Sequence, residues 1–270
     1  MADIEKMAEK YRNAGYSDRN ADARVCQDIV LKAIAKSSFG RNVTIKGGVV
    51  MRGLTGNVRR ATEDLDIDFI KYSLGDESIR RFISGLNCLD GITMRIKNDS
   101  IEQLSQQEYD GKRVYIIISD DTGHTLESKI DLGVHADMNI EQDDFCFDVC
   151  MDDEGASVLI NSCEQIFAEK LRSLLRFGPF STRYKDIFDF CYLKNHIVME
   201  RLEKYIKAYI IDEPKLREKS MADIRKRVSL TFGNRRFRAN VEQSGDRNWL
   251  QIDVGEAFET IQKFLETVSI

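Results

Sequence analysis

The chain is short of the residues that break, staple or span. It holds two prolines, Pro179 and Pro214, so a proline-rich linker is excluded and long helices are permitted. No apolar run approaches ~18 residues, so no membrane-spanning helix is expected. The opening stretch, MADIEKMAEKYRNAG, is charged throughout and lacks the apolar centre of a signal peptide. The expectation is a cytoplasmic protein with no membrane partner. Six cysteines are scattered at 26, 88, 146, 150, 163 and 191. The closest pair, Cys146 and Cys150, has neither a second such pair nor a histidine nearby, which argues against a zinc ribbon. Reduced thiols in apolar surroundings are expected instead. Positive charge is also scarce: the net charge is −5, which argues against nonspecific nucleic-acid binding by the whole surface but not by a local patch.

What is present is ordinary globular material. Of 270 residues, 42% are hydrophobic and 31% charged, enough for a real core in one large domain or two small ones. Residues 2–14 and 19–38 read as amphipathic helices. In the second, Val25, Cys26, Ile29, Val30, Ala33 and Ile34 form a stripe at helical spacing. NVTIKGG reads as a strand ending in a turn, VVMRGL as the start of a short helix, and EDLDIDFIK as a strand by strict alternation. Residues 77–86 look helical, and ITMRIKN, KRVYIIIS and LESKIDLGVH look like strands. Beyond about residue 155 the pattern turns helical: Cys163–Phe177, Tyr184–Leu193, Val198–Ile211 and more to the end. This places a mixed domain over 1–157 and a helical one over 158–270.

The chemistry concentrates between Lys46 and Phe69. Successive strand side chains point to opposite faces, so Leu65, Ile67 and Phe69 face a core while Asp64, Asp66 and Asp68 share the other side, roughly 7 Å apart. Carboxylates so repeated repel one another unless a cation sits among them. Mg²⁺ (or Mn²⁺) suits, since it is commonly held by one or two carboxylates plus substrate phosphates. The plainer account is an exposed edge strand kept soluble by acids. Gly47 and Gly48 end one strand and open a helix, a turn whose N–H groups and positive helix end can approach a phosphate. Arg52, one helical turn on, could add a charged contact; a plain surface arginine is the alternative. A phosphate turn followed by a D-x-D strand meets the needs of metal-assisted nucleotidyl transfer. Asp131, on the polar face of LESKIDLGVH, is the candidate third carboxylate. Its plainer reading is a surface Lys/Asp pair on an edge.

On a helical wheel of Cys163–Phe177, at ~100° per residue, Ile166, Phe167, Leu171, Leu174 and Leu175 cover one half. Lys170 falls inside that apolar half. A buried, unpaired ammonium is costly, so Lys170 either snorkels to the rim or meets an anion. In the next helix Asp186 projects into a partly apolar setting and Asp189 toward the polar side. Finally, Lys215 to Arg238 holds nine basic residues against two acidic ones. Arg225, Lys226, Arg227, Arg235, Arg236 and Arg238 form a candidate RNA-binding patch, against the alternative of a solvated helix face.

Taken together, KGG, RATEDLDIDF, EQIFAEKLRSLLRF and RYKDIFDF resemble the AbiEii family of nucleotidyltransferase-like toxins, which also takes in the MenT toxins. They occur in the family's order. The resemblance implies an α+β fold: a DNA-polymerase-β-like nucleotidyltransferase core, a mixed sheet with flanking helices, followed by a mostly helical C-terminal half. It implies Mg²⁺ and a nucleoside triphosphate, with Asp64 and Asp66 as the metal pair, Gly47 and Gly48 as the phosphate turn, and Lys170 and Asp186 as the downstream active-site pair. Asp68 has no clear family role. Val49 stands where members often carry Thr or Ser, which puts a side-chain hydroxyl contact to phosphate in doubt but not the backbone contacts. The family acts in type IV toxin–antitoxin and phage-defence systems. Some members are similar to tRNA nucleotidyltransferases and block the acceptor end of tRNA, and the antitoxin is a regulator encoded beside the toxin that need not form a stable complex with it. The expected function is therefore a toxin transferring nucleotide from an NTP to RNA, with the tRNA 3′ end first. The alternatives are the same chemistry on a small molecule or a protein hydroxyl, or a nucleotide-binding module that has lost catalysis.

Overall fold

The computed structural model describes residues 3–104, 111–135 and 142–270. They form two compact units, Met1–Asn161 and Ser162–Ile270. The first contains α1 (Ile4–Asn13), α2 (Asp18–Lys36), β1 (Val43–Lys46), α3 (Gly47–Thr55), β2 (Leu65–Phe69), α4 (Asp76–Gly85), β3 (Ile92–Leu104), β4 (Gly111–Asp120), β5 (Thr125–Val134), β6 (Asp143–Phe147) and β7 (Ala156–Ile160). The strands make one mixed sheet in the order β3-β4-β5-β2-β1-β7-β6. β2 runs antiparallel to β1 and parallel to β5, and β7 runs parallel to β1.

This order settles the edge-strand alternatives. β2 is the central strand and β5 is interior, so neither Asp66 nor Asp131 lies on an edge. The alternation in β2 works as its spacing demands: Leu65, Ile67 and Phe69 are fully buried. Phe69 meets Phe82 and Tyr72 edge-on, with ring centroids 5.2 and 5.1 Å apart. Each such ring contributes about 1.5–3 kcal/mol by leaving water. α2 is more buried than its stripe suggests, for Gln27, Asp28, Leu31 and Lys32 are buried as well. It packs against α1, β5 and β7, so more than one side is covered. Asp28 accepts from the Tyr11 hydroxyl and from the Cys150 N–H at 3.0 Å. Lys32 reaches Asp152 at 2.8 Å.

β6 and β7 lie outside the sequence expectation. β7 runs through the expected boundary at 157/158, and the first unit continues to Asn161, whose N–H donates to the Ile45 carbonyl at 2.9 Å. All six cysteines are free. Burial pushes the thiols of Cys26, Cys150 and Cys191 up to about 12, as apolar surroundings require. Cys88 and Cys146 depart from that expectation and are exposed.

The second unit comprises α5 (Cys163–Phe177), a 3-10 turn (Gly178–Phe180), α6 (Lys185–Leu193), α7 (Met199–Ile206) with one wide turn (Lys207–Ile211), α8 (Met221–Phe232), α9 (Arg235–Gln243) and α10 (Val254–Thr267). Ser162 caps α5, its hydroxyl accepting from the Gln165 N–H at 3.2 Å, which satisfies one of the orphan donors of a helix start. α5 packs on α6, α7 and α8. Its apolar half is buried as the wheel requires, and Arg172 is buried too because Glu213 accepts from it at 3.0 Å. The rings of Phe232 and Phe258 stack at 4.2 Å.

Candidate active site

The sheet brings the predicted carboxylates together by register. Asp66 on β2 is the direct neighbour of Asp131 on β5 and of Lys46 on β1. Three acids on this face have cations of their own. Lys46 Nζ lies 2.6 Å from Asp68, Lys129 Nζ lies 2.7 Å from Asp64, and Arg113 on β4 forks both oxygens of Asp131 at 2.7 and 2.8 Å. Asp66 differs. Burial pushes its carboxyl up to about 6; Lys46 pulls it down, and Asp131, Asp64 and Asp68 push it up further. The ionised form is disfavoured where it stands, which is a condition a divalent cation relieves.

Glycines clear the space these acids occupy. Gly47 has φ +67°, and a Cβ there would run into the Asp66 carboxylate. Gly133 on β5 does the same for Asp68, and a Cβ on Gly48 would lie 2.6 Å from Thr62 Oγ1. The Gly47–Gly48 turn therefore opens α3 at close quarters to Asp66, where a helix start presents unpaired N–H groups. Val49 is fully buried, so its side chain packs in the core.

In the second unit Lys170 on α5 is paired rather than snorkelling. Its ammonium meets Asp186 and lies 2.9 Å from Asp189, both on α6. Asp189, expected on the polar side, is fully buried and accepts from Trp249 Nε1 at 2.9 Å. The Asp186/Asp189 spacing of three residues was the available signal: both lie on one helix face, and a lysine inside an apolar arc needs a counter-charge. Lys46 and Arg113 were also missed. Lys46 stands directly before the glycine pair, and Arg113 lies directly across from Asp131 in the β4/β5 ladder.

Other expectations are corrected. Arg52 is 2% exposed and lies 3.7 Å from the buried Asp28; it is held in the interior, not at the phosphate turn's surface. Asp131, the expected third carboxylate, accepts from Arg113 at both oxygens, a strong and directional forked pair. Of the basic patch, Arg225 donates to the Leu265 carbonyl at 3.2 Å, Arg227 donates to the Leu175 carbonyl at 3.2 Å, and the Arg238 guanidinium stacks 5.0 Å over Phe258. Lys226, Arg235 and Arg236 are exposed.

The hard oxygen donors Asp64 and Asp66 fit Mg²⁺ or Mn²⁺. Among the described residues, three ligating groups within 4.8 Å of one another occur at Asp3, Asp120 and His124. There Asp120 is already occupied by the N–H groups of Ile4, Thr122 and His124, so that cluster ties a chain end to a turn.

The family model described as nucleotidyl transferase AbiEii toxin, type IV TA system, matches residues 29–261. The chain belongs to the AbiEii family. AbiEii membership makes it a nucleotidyl transferase of the toxin–antitoxin class and covers both carboxylate clusters. Among solved structures it is similar to an antigenic nucleotidyltransferase-like protein from Paracoccidioides brasiliensis, at 13% identity and TM-score 0.49, over 87% of this chain and 93% of that one. It is also similar to the antibiotic-resistance factor ANT(2'')-Ia, at 14% identity and TM-score 0.42, over 69% and 92%. No curated protein sequence matches. Among the described residues no helix is long and apolar enough to cross a membrane.

Proposed function

We propose that this AbiEii protein is a cytoplasmic toxin that transfers a nucleotide from an NTP to an RNA acceptor, the tRNA 3′ end first, in a toxin–antitoxin and phage-defence system. The observation that carries the reading is the half-buried Asp66, its carboxyl raised to about 6, beside a glycine turn that leaves it room. Asp64 and Asp66 would hold Mg²⁺ or Mn²⁺. When bound, the metal supplies charge stabilisation for the transferred phosphoryl group and its leaving pyrophosphate. The start of α3 offers N–H groups to the triphosphate. Lys46, opposite Asp66 and paired with Asp68, offsets the repulsion within the acidic face. Arg113 holds Asp131 and thereby limits the negative charge a triphosphate meets. Lys170 and Asp186 are assigned to the same reaction by their match to the family motifs. The exposed Lys226, Arg235 and Arg236 favour a polyanionic acceptor over a cationic drug. The antitoxin is expected from an adjacent gene, without a requirement for a stable complex.

The test is incubation with each labelled NTP, Mg²⁺ and total tRNA, followed by separation of labelled RNA from free nucleotide. Label should enter tRNA with one NTP preferred, and Asp66→Asn should lower transfer about 10²–10³-fold while remaining folded. Label appearing only in a small molecule or in protein would replace the acceptor. Full transfer by Asp66→Asn would remove the metal assignment.

A further inference from the structure

The second unit contains a pocket of about 610 Å³ that belongs to neither carboxylate cluster. Its walls are the C-terminal end of α5, residues 215–218 and one face of α8, and its cations are Arg176, Lys215, Arg217, Lys226 and Arg227. Two acids, Glu218 and Asp223, also line it, against those five cations. Glu218 is 8% exposed, and Asp223 accepts from Ser220 Oγ at 2.8 Å and from the Lys219 N–H at 3.2 Å. The wall is thus positive in a protein whose net charge is −5.

Two further features distinguish it from a solvated helix face. Arg227 is oriented: its Nε–H donates to the Leu175 carbonyl, and its guanidinium lies so near Gly178, at φ +51°, that a Cβ there would strike it within 2.5 Å. The turn that carries Gly178 then ends in Phe180, a residue 83% exposed, and follows Phe177 at 43%. Leu230, 61% exposed, lines the pocket one turn beyond Arg227 on α8. Arg176 sits 5.3 Å over the Phe177 ring. Cations lining a concave seat, with exposed aromatic rings on the adjoining turn, are what single-stranded nucleic acid uses: the charges track phosphates, and the rings stack bases without reading sequence.

We propose that this groove seats the single-stranded end of the RNA acceptor, its phosphates against Arg176, Arg217, Lys226 and Arg227 and a base on Phe180. The proposal rests on the RNA reading above and gives that acceptor a seat distinct from Arg235 and Arg236. It also accounts for apolar rings exposed on a surface where burial would otherwise be preferred.

The experiment uses the full chain and a fluorescent 12-nucleotide oligo(U) strand, with total tRNA as competitor, and anisotropy measured across a salt series. Arg217→Glu with Lys226→Glu should weaken binding at least tenfold and lower the log–log salt slope by about 1.4, at about 0.7 per phosphate contact for single strands. Phe180→Ala should weaken binding about tenfold and leave the slope unchanged, since stacking releases no counterions. These side chains are exposed, and melting curves should match wild type. Arg235→Glu with Arg236→Glu should weaken oligo(U) binding less than the groove pair does. Wild-type affinity and slope in both groove variants would overturn the groove while leaving NTP-to-RNA transfer standing. Loss of binding in those variants, with no transfer to RNA by wild type, would keep the groove and overturn the reaction. An absence of RNA binding by wild type would overturn both.

Discussion

In the first unit three acids each have a cation: Asp64 has Lys129, Asp68 has Lys46 and Asp131 has Arg113. In the second unit one cation, Lys170, is shared by Asp186 and Asp189. The two clusters therefore depart from neutrality in different ways. On the sheet, Asp66 keeps a charge that burial and its neighbours disfavour, so this face has room for an added cation. Between α5 and α6 the lysine is what allows Asp189 to be fully buried. Losing a charge should relieve the first cluster and damage the second.

The largest effect expected is at Lys170. Lys170→Met removes the ammonium shared by two carboxylates, one of them fully buried, and should lower stability by about 3–5 kcal/mol in urea denaturation. Adding Asp189→Asn should recover part of the loss. A Lys170→Met protein as stable as wild type would break the comparison. Asp66→Asn should act in the opposite sense. Its carboxyl sits at about 6 when folded, above the ordinary 3.8, so the folded state holds the proton more tightly. The ionised group then destabilises the fold increasingly as pH rises through that interval. In chelator at pH 7.5 the variant should gain up to about 3 kcal/mol, and below pH 3.8 it should match wild type.

Asp120 calibrates both, because its hydrogen bonds come from backbone N–H groups and the Thr122 hydroxyl, not from lysine or arginine. Burial pushes its carboxyl up, but hydrogen bonds from Thr122, Ile4 and His124 outweigh that and hold it at about 2. A carboxyl held below its ordinary value stabilises above that value and loses the contribution as pH falls through the folded one. Asp120→Ala should cost about 1–3 kcal/mol at pH 7, and the difference from wild type should fade between pH 3.8 and about 2. The smallest effect is at Gly133. An alanine there meets the Asp68 carboxylate and should cost about 1 kcal/mol, with transfer activity falling more than the melting temperature suggests, because the shift passes to Lys46.

Local pattern made some parts legible. α5 begins and ends where its helical pattern places it, and β2 alternates because one face is buried, a period-2 signal that needs no partner strand. The glycine turn was legible because a helix opening directly from a strand requires unusual backbone, here φ +67° at Gly47. Arg52 and Asp189 were misread for a shared reason. Periodicity ranks a side chain by its own polarity, whereas a buried charge is decided by what lies opposite, Asp28 in one case and Lys170 with Trp249 in the other. β6 and β7 were missed because short strands beside a helical region carry few residues over which to detect a period.

By itself, then, the sequence determined the elements whose signals are local: the amphipathic helices, the D-x-D strand, the glycine turn and the anomaly of a lysine in an apolar arc. It also held the ordered motifs that match the AbiEii family over residues 29–261. Only the tertiary structure decided that β2 is central, that Asp131 is forked by Arg113, and that Lys46 lies opposite Asp66 and pairs with Asp68. Only it gathered Arg176, Arg217 and Lys226 around one pocket. The reason is that a charge's role depends on distance and on the dielectric around it, and both are set by strand register and helix packing between residues far apart in the chain.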